Sequence, residues 1–94
     1  MQAIHVRFYG PTNTRGSRYK ATCQAGSVSV PSTHSLNPSD NAARAAAALC
    51  QKLGWTNEHY GDLIEGGLPD GSYVFLTVAH APRYAIDGSR ILDR

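Results

Sequence analysis

Arg15 and Arg18 lie on either side of Gly16-Ser17 in the stretch "FYGPTNTRGSRYK", Phe8 to Lys20, with no carboxylate close by in the chain. A guanidinium holds a phosphate or carboxylate through two parallel hydrogen bonds, so this pair is the best candidate for anion recognition. Gly10, Pro11, Asn13 and Gly16 are turn formers, and Thr12, Asn13, Thr14 and Ser17 suit local Asx and ST turns. Turn chemistry explains most of the loop but not its two arginines. The candidate binding residues are therefore Arg7, Tyr9, Asn13, Arg15, Arg18 and Lys20.

Other chemistries find less support. His5, His34, His59 and His80 are scattered and share no ligand spacing with each other or with cysteine, so no metal site is expected. Cys23 and Cys50 fall on core-facing positions and read as small buried hydrophobes; no context supports a catalytic Cys–His pair. The glycine-rich "EGGLPDG" has no lysine and no following helix, which makes it a hairpin turn rather than a phosphate loop. Asp62 and Glu65 read as solvated charges that discourage edge pairing. Trp55 suits a core or cap position, and Tyr60 an interface. No catalytic or metal motif emerges, so the chain reads as a binding protein without a cofactor, not an enzyme.

The chain has 94 residues and a formal charge of +2. That length suits one domain with one modest core. No apolar run is long enough to span a bilayer, and the N-terminus lacks the order of a signal peptide. The chain reads as cytoplasmic, with no membrane partner and with reduced thiols. Its small net charge hides an asymmetry. Up to Leu36 there are four cations (Arg7, Arg15, Arg18, Lys20) and no acid; from Leu53 to Pro82 there are four acids (Glu58, Asp62, Glu65, Asp70) and no Lys or Arg.

The elements that position these residues follow from periodicity. In "AIHVRFY", Ile4, Val6 and Phe8 share one face, and His5, Arg7 and Tyr9 the other. "SRYKATC" alternates Tyr19, Ala21 and Cys23 against Arg18, Lys20 and Thr22. "SVSVP" sends Val28 and Val30 to the core. Short connections predict an antiparallel meander. Asn37 is a good N-cap, Pro38 suits the first helical position, and the alanine-rich stretch that follows favours a helix. Ala42, Ala46, Leu49, Cys50 and Leu53 form its apolar stripe. Gly54 is the expected left-handed stop, with Trp55 folding back on Leu49 or Cys50. Leu63–Glu65 and Tyr73–Val78 read as a hairpin turning at Pro69-Asp70-Gly71, and the apolar "YVFLTV" as a central strand buried on both faces. The expected fold class is α+β: an antiparallel sheet with one helix on one face. It occupies residues 1–78. Residues 79–94 form a tail, loosely docked through Ile86, Ile91 and Leu92 or mobile.

In this register one sheet face is basic and carries His5, Arg7, Tyr9, Arg18 and Lys20, a way of holding phosphates. A three-stranded sheet followed by a helix also resembles the architecture of AP2-type and integrase arm-binding domains, which lay such a sheet in the DNA major groove. The segments "QAIHVRFYGPTNTRGSRYKA", "AARAAAALCQKLGW" and "GGLPDGSYVF" resemble a group of short proteins carried by proteobacterial phages, plasmids and genomic islands, "GPTNTRGSR" being the specific part. The resemblance covers the chain up to Val78. It implies a non-enzymatic regulator or inhibitor of host systems, a class that includes anti-CRISPR proteins. The expected partner is a host protein or ribonucleoprotein, met in the host cytoplasm. The alternative is direct DNA or RNA binding through the basic face. The acidic second half and nearly uncharged helix weigh against it.

Overall fold

The computed structural model describes residues 3–79 and 83–91. Strands β1 (Ile4–Tyr9), β2 (Arg18–Cys23) and β3 (Gly26–Pro31) form the meander. Helix α1 (Pro38–Leu53) and a single turn, α2 (Asn57–Tyr60), follow. Strands β4 (Leu63–Gly67) and β5 (Tyr73–Thr77) make the second hairpin. The sheet order is β3-β2-β1-β5-β4, antiparallel throughout, because β5 returns to pair with β1. The expected α+β architecture with one helix on one sheet face is the observed one.

Alternation decides which face the helix covers. Ile4, Val6, Tyr19, Ala21 and Phe75 are buried beneath Ala42, Ala45, Ala46 and Leu49 of α1. Alanine lets the helix lie close on the strands. Asn37 Oδ1 accepts from the Asp40 N–H at 2.7 Å, and Pro38 opens the helix. Gly54 adopts φ 77°, which an L side chain resists, and the Trp55 N–H reaches back to the Cys50 carbonyl at 2.8 Å. Asn41, one helical turn in, is buried although polar. Its Oδ1 accepts from the Thr33 N–H, and its amide donates to the carbonyls of Thr33, Leu36 and Asn37. One side chain thus ties the β3–α1 connection to the helix.

Three sequence expectations need correction. Phe8 shares the helix side with Tyr19, but it is 55% exposed: α1 starts at Pro38, level with this end of the sheet, and leaves Phe8 at the rim of a hollow. β5 is interior to the sheet but not buried on both faces. Val74 and Leu76 point away from α1 and are only half-buried. The tail contains a small hairpin of its own, β6 (Arg83–Tyr84) and β7 (Arg90–Ile91), and Ile86 sits fully exposed at its turn instead of anchoring it. Leu92 lies outside the described residues. Among the described residues no helix is long and apolar enough to cross a membrane.

Candidate functional site

The face of the sheet opposite α1 carries His5, Arg7 and Tyr9 from β1, Arg18, Lys20 and Thr22 from β2, and Ser27 and Ser29 from β3. Register sets the neighbours: Arg7 lies opposite Lys20, Tyr9 opposite Arg18, and Lys20 opposite Ser29. Two cations directly across a strand pair repel each other, so Arg7 and Lys20 raise the energy of an empty face and lower it for a face that meets an anion. Lys20 makes no hydrogen bond or ion pair among the described residues. The Arg18 guanidinium lies 5.2 Å from the centre of the Tyr9 ring, a cation–π contact that holds both side chains on this face.

The loop between β1 and β2 is built by Thr12. Its N–H donates to the Arg15 carbonyl at 2.7 Å, and its hydroxyl oxygen accepts from the Arg15 N–H at 3.0 Å. Ser17 and Ser32 extend the β2–β3 pairing through a hydroxyl–hydroxyl bond of 2.7 Å. The result is a groove of about 390 Å³ between the loop and the end of β3, with Thr14, Arg15, Ser17, Arg18, Ser29 and Pro31 on its walls. Arg15 and Arg18, adjacent only through the turn in sequence, share this groove, and among the described residues no carboxylate lines it. Asn13 is exposed near the loop tip and bonds to nothing among the described residues. Five of the six sequence candidates therefore form one continuous surface, with Asn13 at its margin.

Arg7 is the qualified member. It stands 3.9 Å from Asp70, both side chains being about half exposed. Asp70 belongs to a network that local sequence reading does not reveal. The Ser72 hydroxyl donates to Asp70 Oδ1 at 2.5 Å, the Ser72 N–H donates at 2.9 Å, and Ser72 Oγ lies 2.8 Å from His5 Nε2. These bonds from Ser72, aided by the Arg7 and His5 charges, hold the Asp70 carboxyl below its ordinary pKa. The residues are far apart in the chain and meet because β5 pairs with β1. The only sequence sign was the D-G turn, which forecast the hairpin but not its neighbour.

The Ser72–His5 distance suits a base-activated nucleophile, but the bond polarity does not. Ser72 is buried and its hydroxyl donates to Asp70, so its proton is not directed at the imidazole. Cys50 is half-buried, and burial together with the nearby Cys23 pushes its thiol pKa up, away from the reactive thiolate. Among the described residues no group of three or more His, Cys, Asp and Glu is placed to hold a metal ion.

Beyond the basic region the same face turns apolar. Ile64 and Leu76 are cross-strand partners, Ile64 is 52% exposed, and Val78 beside them is 43% exposed. The face thus passes from cations and Tyr9 on β1–β2 to aliphatic side chains on β5–β4. No known protein family, curated protein or solved structure matches the chain.

Proposed function

We propose that this is a non-catalytic binding protein of mobile-element type that inhibits a host defence system, CRISPR–Cas being one such system, by docking its open sheet face on a protein or ribonucleoprotein. The observation that carries the reading is the groove shared by Arg15 and Arg18, which no carboxylate lines among the described residues, continuous with Lys20, Arg7 and Tyr9 on a face that α1 does not cover. Arginine and tyrosine beside an aliphatic patch have the composition of a protein contact, with cations to orient the encounter and apolar area to hold it. The inhibitory role rests on the resemblance of the "GPTNTRGSR" segment and its companions to short mobile-element proteins.

Direct DNA or RNA binding is the second reading, favoured by the same groove. Ile64, Leu76 and Val78 offer nothing to phosphates, and Asp70 beside Arg7 repels them. A tagged pull-down from a bacterial host lysate, with and without nuclease, separates the two. A stoichiometric protein partner that survives nuclease supports docking. Recovery of nucleic acid and nuclease-sensitive proteins alone supports the second reading and overturns the first.

A further inference from the structure

One helix cannot roof five strands. An α-helix with its side chains is about 10 Å across, whereas five strands at about 4.8 Å spacing span roughly 19 Å. α1 packs chiefly on β3, β2 and β1. The Leu63–Thr77 corner of the β5–β4 end is roofed instead by the segment after the helix, where Trp55 and Tyr60 stack at 5.2 Å between ring centres and 25° between planes. Gly61 then turns the chain sharply into β4. It adopts φ 74°, and a Cβ there would sit 2.7 Å from Val78 Cγ2. Between this roof, the last turns of α1 and the sheet lies a pocket of about 380 Å³, within the size range of small-ligand sites.

We propose that this pocket binds a small organic cation, an alkylammonium or guanidinium group, between the Trp55–Tyr60 aromatic wall and the Asp62 carboxylate. Among the described residues, Asp62 is the only Asp, Glu, Lys or Arg on its walls; Gln51, Thr56 and Asn57 supply neutral polar atoms. Asn57 Nδ2 donates to Asp62 Oδ1 at 2.8 Å and holds the carboxylate at the rim, and Asp62 Oδ2 makes no hydrogen bond among the described residues. The surroundings reinforce the sign. From Leu53 to Ala79 the chain has no Lys or Arg, and the pocket adjoins the C-terminal, negative end of the α1 dipole. Aromatic faces attract cations, so wall and carboxylate select the same charge. The pocket lies on the helix side of the sheet and shares no lining residue with the basic groove. The cation is either a free amine or a Lys or Arg side chain offered by a partner.

Trp55 is the only tryptophan in the chain, so its fluorescence reports on this wall. The full chain is titrated with agmatine and with the peptide acetyl-Gly-Arg-Gly-amide, and with n-butanol and butyrate as uncharged and anionic controls. Both cations are expected to give a saturable change and neither control to do so. Asp62→Asn is expected to weaken cation binding by about tenfold, the loss of one charge-assisted contact, with an unchanged circular dichroism spectrum. Tighter binding of agmatine assigns the site to a free amine; tighter binding of the peptide assigns it to a partner's side chain. No saturable response to either cation overturns the proposal, and so does an equal response to butanol, which needs no variant. Unchanged affinity in Asp62→Asn overturns it as well.

Discussion

Asp70 shows how much one side chain can be asked to do at this surface. Its carboxylate accepts two bonds from Ser72 and faces Arg7, and its pKa is lowered, first by the Ser72 hydroxyl. Because the folded-state pKa lies below the unfolded one, the stabilisation is complete above the ordinary carboxylate range. It is lost as pH falls through the lowered value. Asp70→Asn should therefore lower Tm at neutral pH and converge with the parent in acid, as a melting series across pH will show. Cys50 carries the opposite shift. Its labelling by a soluble thiol reagent should be slow at neutral pH and accelerate only under alkaline conditions, followed by mass spectrometry. The arginine pair was legible in sequence because no acid lies near it in the chain. The Arg7–Asp70 contact was not, because it depends on which strand β5 joins.

Elements were legible wherever local chemistry decides them. The Asn37 cap, Pro38 start and Gly54 stop are short-range signals, and the helix begins and ends at them. Strand alternation likewise assigned the two sheet faces. Asn41 was missed because an Asn in an alanine-rich helix gives no sign of its distant bonds. Its four hydrogen bonds are made while almost fully buried, so Asn41→Ala should cost about 1–3 kcal/mol in denaturant unfolding. The cap is more modest: Asn37→Ala should cost about 1 kcal/mol in the same measurement. The two sheet edges also differ. Lys52 Nζ donates to the Ser27 carbonyl at 2.8 Å and Arg44 Nη2 donates to the Pro31 carbonyl, so α1 covers outward carbonyls of β3. At the other edge, Glu65 of β4 is exposed, but its carboxylate accepts from Ser39 of α1 at 2.6 Å and is tied to the helix rather than freely solvated.

For the whole molecule, the charge asymmetry of the chain becomes an asymmetry of surfaces. Cations of β1, β2 and their loop occupy the open face, and Asp62 lines the pocket beside Trp55 and Tyr60. The two signs meet at Arg7 and Asp70. Such an arrangement would orient the protein partner proposed above, and the mixed basic and aliphatic face predicts how salt would act on that contact. Affinity for the partner should fall only modestly as salt rises, whereas a phosphate-dominated contact would fall steeply and log-linearly. Which partner fits was not legible. Residue types on a face define its chemistry, while the complementary shape belongs to the other molecule.

The proposed docking face is tested most directly by reversing charge in the groove. Arg15→Glu combined with Arg18→Glu leaves the core untouched, since neither side chain is buried. The variant is compared with the parent for recovery of the nuclease-resistant partner from host lysate and for Tm. The expected result is that partner recovery is abolished while Tm stays nearly unchanged. Undiminished recovery by a folded variant would contradict it and remove the Arg15–Arg18 groove from the interface.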